Sequence, residues 1–246
     1  MNPQRIAKLF AWLFIGTWVT SIPARLIFVD NLGGSWSDPR FTASGSETAM
    51  YVAVILEFLL IVLNIATAVV LFPVVRRQSE IGALGYVTAR IMESAFILVG
   101  LISLISVVSL RQDLAGATGA QAAAMTATGG TLVHIYQWAF QFGPGLVVGF
   151  GNGLILGYLM YRSGLVPRRM AMIGLVAGPL LILSFGLILF GVFENGSGPS
   201  FLLSLPEMVW ELSLPIYLLV KGFKPASVKT LETRVLTLDE PKVAVG

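Results

Sequence analysis

Four ionisable residues, Glu57, Arg90, Glu93 and Glu211, lie deep inside stretches of apolar sequence long enough to cross a bilayer. A charge at the centre of such a stretch costs about 2.5–3.5 kcal/mol on an insertion scale. A chain that carries several of them either pairs them with one another or uses them. Carboxyl groups in a low-dielectric site can hold a proton, donate or accept a hydrogen bond, or serve as general acid and base. Spacing groups further polar residues around them. Arg90 and Glu93 are three apart, so they share one helical face and can touch. Glu207 and Glu211 are four apart, and Asn64 lies seven residues on from Glu57 on the same face. His134, Gln137 and Gln141 follow an i, i+3, i+7 pattern, with Asn152 farther along the same span. The candidate binding set is therefore Glu57, Asn64, Arg90, Glu93, His134, Gln137, Gln141, Glu207 and Glu211. Within it, Glu57, Glu93 and Glu211 are the candidate catalytic groups.

Charge balance sharpens this. One Arg90 cannot neutralise Glu57, Glu93 and Glu211 together; fully ionised, the group carries a net charge of −2. Repulsion and loss of solvent both favour the neutral acid, so at least one of the three is expected to carry its proton at neutral pH. The alternative is purely structural: Arg90 and Glu93 lock their own helix in place, and Glu211 bonds a carbonyl freed by Pro215. None of these groups should face lipid. The simplest arrangement places spans two, three, four and six around one polar centre.

Several chemistries are excluded or unsupported. The chain has no cysteine, which removes disulfides, iron–sulfur clusters and thiol nucleophiles. With the single His134, a metal would need a mostly carboxylate ligand set from Glu57, Glu93, Glu211 and that histidine. Neither a metal nor a cofactor is expected. No P-loop, dinucleotide fingerprint or nucleophile elbow is present, and the short basic clusters give no support for nucleic-acid binding.

The elements that must position these residues are transmembrane helices. The chain is 56% hydrophobic and 12% charged over 246 residues, against about 25% charged in an average soluble domain. An all-α bundle of six spans is expected at 8–29, 48–75, 82–110, 130–161, 168–193 and 200–221, each at or above the ~20 residues a crossing needs. These make one transmembrane domain over residues 1–224, with a flexible cytoplasmic tail over 225–246. The first apolar run continues past the weak Ser21-Ile22-Pro23-Ala24 cleavage-like site, so it is expected to remain as an uncleaved span. Twelve basic residues fall on one side of the bundle and three, Arg25, Arg40 and Arg111, on the other. By the positive-inside rule both termini are cytoplasmic.

Residues 30–47 and 111–129 read as the outer loops. Span four contains Gly143-Pro144-Gly145, which predicts a kink or a broken helix. Below it Gly145, Gly149, Gly153 and Gly157 recur every four residues, a smooth stripe for close packing. Gly174 and Gly178 on span five offer a matching surface; the stripe could pack within one chain or between two, and a hinge for conformational change is the alternative to packing.

Four stretches also resemble one family. They are Asn2-Pro3-Gln4-Arg5-Ile6-Ala7, the run from Ala83 through Arg90 to Glu93, the Pro167-Arg168-Arg169 turn, and the close of span six from Trp210-Glu211 to Phe223. Over roughly residues 2–224 the chain resembles the bacterial integral membrane proteins of domain-of-unknown-function family 4386. The resemblance implies a polytopic protein of the bacterial plasma (inner) membrane and places Arg90, Glu93 and Glu211 in its motifs. It implies no activity. The function these observations favour is a buried polar site that binds or senses a small amphipathic or lipid-like molecule. A cofactor-free intramembrane acid–base enzyme acting on a lipid or isoprenoid is the second reading. A structural or partner subunit and a small proton-coupled transporter follow; the transporter lacks a visible inverted repeat.

Overall fold

The computed structural model describes residues 2–35 and 38–239. Six helices are long and apolar enough to cross a membrane: α1 (Pro3–Asn31), α2 (Glu47–Val75), α3 (Glu80–Leu114), α4 (Gly119–Ser163), α5 (Arg168–Leu189) and α6 (Gly198–Lys221). A seventh, α7 (Pro225–Asp239), follows. Local sequence sets several of their ends. The side chains of Asn2, Ser46 and Ser79 accept from the amides of Gln4, Ala49 and Gly82 and so cap α1, α2 and α3. Gly164 and Gly222, at φ of 65° and 67°, close α4 and α6 in a conformation that few side chains tolerate.

Three expectations are corrected. The loop expected at 111–129 shrinks to the short link between Leu114 and Gly119, because the Ala-rich stretch after Gly119 continues as helix. The helix at Gly143-Pro144-Gly145 neither breaks nor ends. It widens into π-helical turns over Gln141–Val147 and again over Gly149–Leu156, and the amide of Val148 bonds five residues back to Gly143. A wider turn accommodates the proline that has no amide proton, and the glycines leave room for it. The tail expected to be flexible from residue 225 is helical through Asp239, and its Leu231 is buried in the core. Residues 240–246 lie outside the described residues.

Two apolar cores hold the bundle. At the end that carries both termini, Phe10, Phe14, Leu71, Tyr86, Leu159, Ala171, Trp210 and Leu218 join α1 through α6. The side-chain amide of Gln4 donates to the Phe223 carbonyl at 2.7 Å and its carbonyl oxygen accepts from the Phe223 amide at 3.0 Å, which closes α1 on α6 there. At the distal end, Phe28, Met50, Leu60, Leu104, Val133 and Tyr136 join α1 to α4 alone. Among the described residues that distal core takes nothing from α5 or α6. A cavity lies among the helices on that side, where the Phe142 ring of α4 packs against the Phe185 ring of α5 with centres 5.1 Å apart.

The glycine stripe is used inside the chain. A Cβ on Gly153 would lie 2.4 Å from the Gly178 Cα, and one on Gly149 would lie 2.9 Å from the Gly178 carbonyl oxygen. Gly157 meets the backbone of Gly174 and Leu175 in the same way. This α4–α5 seam is packing within one chain, one of the two uses expected of the stripe. Gly145 is apart from it and lines the cavity instead.

Candidate functional site

The cavity has a volume of about 540 Å³, within the range of small-molecule sites. All six long helices contribute to its wall. Glu57 and Asn64 come from α2, Arg90 and Glu93 from α3, Gln141 from α4, and Glu207 and Glu211 from α6. Seven of the nine sequence-predicted residues therefore meet in one place. The rest of the wall is largely apolar and aromatic, with Phe14, Trp18, Ile97, Phe140, Phe185 and Met208. Ile22 of α1 and Phe201 of α6 also line it while being 46% and 53% exposed, so the cavity reaches the outer surface of the bundle between those helices.

At the α2–α3 side, the polar groups form a closed ring. Arg90 donates from Nη1 to Glu93 Oε2 at 2.7 Å and from Nη2 to Asn64 Oδ1 at 2.7 Å. Asn64 Nδ2 donates to Glu93 Oε1 at 3.0 Å. The guanidinium also stacks over Phe14, 5.4 Å from the ring centre, while its buried Nε has no hydrogen-bond partner. The expected i, i+3 pair is thus present, and α2 completes it.

At the α6 side, the groups are less fully bonded. Glu211 Oε1 accepts from Asn152 Nδ2, and the Asn152 carbonyl in turn accepts from Trp210 Nε1 at 2.8 Å. Glu211 therefore bonds α4 and not a carbonyl freed by Pro215. One turn away, Glu207 is 3% exposed and neither of its carboxyl oxygens has a hydrogen-bond partner among the described residues. It packs where α4 and α5 touch: a Cβ on Gly153 would lie 2.8 Å from Glu207 Oε2.

The distal side holds a second guanidinium. Arg25 of α1 donates to the Tyr136 hydroxyl, lies 5.0 Å from the Phe140 ring centre, and is the cation opposite Glu57. Gln141 Nε2 donates to Asn195 Oδ1 at 2.6 Å, tying α4 to the connection between α5 and α6.

Two predicted residues are not in the site. His134 is exposed and its Nδ1 lies 2.9 Å from Gln137 Oε1, while Gln137 Nε2 donates to the Pro39 carbonyl at 3.3 Å. Gln137 thus holds the distal loop and His134 bonds its neighbour on α4, outside the cavity wall, so the ligand set of Glu57, Glu93, Glu211 and His134 is not assembled. Sequence reasoning in turn missed the contribution of α1, having counted Arg25 only as an outer charge. The signal was there: Thr17, Ser21 and Arg25 recur every four residues, and Ser200, Ser204, Glu207 and Glu211 make the facing stripe on α6. Counting Arg25 and Glu207 leaves the balance where it was, two guanidinium groups against four carboxyl groups.

Six long apolar helices around a charged and aromatic cavity define a polytopic helical bundle with an internal polar site. Within that class the chain belongs to the domain-of-unknown-function family DUF4386, whose match covers residues 9–222. Comparison with curated proteins and with solved structures found no match.

Proposed function

We propose that this chain is an integral protein of a bacterial plasma membrane, with both termini cytoplasmic, that binds or senses a small amphipathic or lipid-like molecule in the α1–α6 cavity. The observation that supports this reading is the mixed wall. Charged groups gather near Arg90 and Glu211, apolar rings cover much of the rest, and the opening between Ile22 and Phe201 faces where lipid would lie. Such a wall suits a molecule with one polar end and one apolar end. The orientation rests on the twelve-to-three asymmetry of basic residues.

Native mass spectrometry of the protein in mild detergent, wild type beside Glu211→Gln, with organic extraction of what co-purifies, tests the reading. A defined mass is expected on the wild type and not on the variant. Two bare proteins, or two carrying the same bulk phospholipids, would overturn it. The second reading, an acid–base enzyme, is favoured by the Glu207 and Glu211 carboxyls sharing one wall of the cavity. It requires that the co-purifying molecule be chemically altered on incubation with wild type and not with the variant.

A further inference from the structure

The head group that this cavity accepts can be read from what the wall lacks. Arg90 engages Glu93 and Asn64 with its terminal nitrogens. Arg25 bonds Tyr136 and faces Glu57. Asn152 occupies one oxygen of Glu211. Glu207 receives no donor from the described residues, although its side chain is almost wholly buried and lines the cavity. A buried polar group without a partner costs about 1–3 kcal/mol, more when charged. Ionised, Glu207 needs a hydrogen-bond donor that it lacks among the described residues, and with carboxyl groups outnumbering guanidinium groups that donor is best a cation. An anionic head would meet the same excess with the wrong sign.

Resting on the proposed binding function, we propose that the ligand is an amphiphilic amine. Its ammonium head sits against Glu207 and Glu211, and its hydrocarbon tail lies along Trp18 and Phe201 toward the gap between α1 and α6. Ammonium supplies three N–H donors and a charge. Glu211, half-buried at the cavity wall, receives one donor, and Glu207, whose carboxyl oxygens are covered against the α4–α5 seam, turns toward the head to receive another. The tail replaces lipid contact with aromatic contact, so the molecule can move between cavity and bilayer without its chain crossing water.

The test uses the whole protein in neutral maltoside micelles and three probes of equal chain length: decylammonium, decanol and decanoate. Isothermal titration reads binding to the wild type and to Glu207→Gln. Decylammonium is expected to saturate one site per chain, and decanol to bind about tenfold or more weaker, the loss of one charge-assisted hydrogen bond. Decanoate is expected to show only partition into micelles. The chain's net charge of +3 favours decanoate non-specifically, so a preference for the amine cannot come from bulk charge. Glu207→Gln is expected to weaken decylammonium by about the same tenfold factor and to leave decanol unchanged.

Equal binding of all three heads, or a preference for decanoate, overturns the cationic ligand while leaving an amphiphile site in place. A variant that shifts all probes alike also overturns it, because that marks a structural role for Glu207. If no probe binds, this inference and the proposed function both fail. If Glu207→Gln does not fold, the order of the three heads on the wild type decides alone.

Discussion

The Arg90 cluster and the Glu207 carboxyl stand in the same cavity wall and meet burial in opposite ways. On the α2–α3 side, every oxygen of Glu93 has a donor and Asn64 bonds both neighbours, so three side chains from two helices close a ring. On the α6 side, Glu207 has no donor among the described residues. The first arrangement bonds both oxygens of Glu93 without a ligand, leaves the buried Arg90 Nε as an open donor among the described residues, and fixes α3 to α2. The second is incomplete among the described residues, and it sits against the α4–α5 seam at Gly153. A buried ion pair is weak evidence for stability on its own, but breaking one partner exposes its full cost. The contrast therefore separates a part of the site that serves the fold from a part left for something else.

The largest effect expected from breaking the comparison is Arg90→Leu. Removing the guanidinium leaves Glu93 and Asn64 buried without it and should cost about 3–5 kcal/mol. Equilibrium unfolding in mixed micelles of maltoside and dodecyl sulfate measures this. Arg90→Leu with Glu93→Leu should recover most of the loss, since a well-packed apolar pair often replaces a buried ion pair at little cost. If the double variant is no more stable than the single one, the ring is not the unit it is described as here.

Next comes the seam behind Glu207. A Cβ on Gly178 would lie 2.5 Å from the Gly149 carbonyl oxygen, so Gly178→Val should destabilise by about 1–3 kcal/mol through overpacking. Gly130 has open space around its Cα. There Gly130→Ala should raise stability by up to about 1 kcal/mol through helix propensity. The same unfolding assay reads both, and equal losses at the two sites would remove the case for backbone contact between α4 and α5.

A smaller change, of opposite sign to the first, is expected at Glu207. In ligand-free protein Glu207→Met replaces an unpartnered buried carboxyl with an apolar chain of similar length. The variant should be more stable by about 1 kcal/mol or more. A loss of stability would show that the wild-type carboxyl is well bonded and would erase the distinction between the two sides of the wall.

Much of this was legible in the sequence because burying charge in an apolar stretch is costly enough to stand out. Glu57, Arg90, Glu93 and Glu211 announce themselves that way, and helical spacing adds Asn64 and Glu207. Three features were not legible. The Ala-rich stretch after Gly119 lacks apolar periodicity, yet alanine needs none to form helix, and α4 extends through it. The Gly143-Pro144-Gly145 run looks like a break, but the outcome depended on whether neighbours could hold a widened turn. The packing of Gly149, Gly153 and Gly157 on α5 supplies that hold, and it is a tertiary fact. The side of the cavity built by α1 was hidden because Arg25 lies near a span end, where an arginine is ordinarily explained by topology.

His134 gives the smallest predicted effect and the clearest check on how faces were assigned. Its spacing with Gln137 and Gln141 is consistent with one polar stripe, yet only Gln141 reaches the cavity. The difference lies in where α4 has company. Near Gln141 the helix faces the α5–α6 connection through Asn195. Around His134, above the cavity, it meets the distal loop, with Gln137 bonded to Pro39 and Phe41 packed over Gly129. An exposed imidazole that bonds a neighbour on its own helix carries little energy. His134→Ala should change stability by no more than about 0.5 kcal/mol and leave any co-purifying molecule in place in the mass spectrum. Loss of that molecule in the variant would bring His134 back into the site and require the distal loop to be part of it.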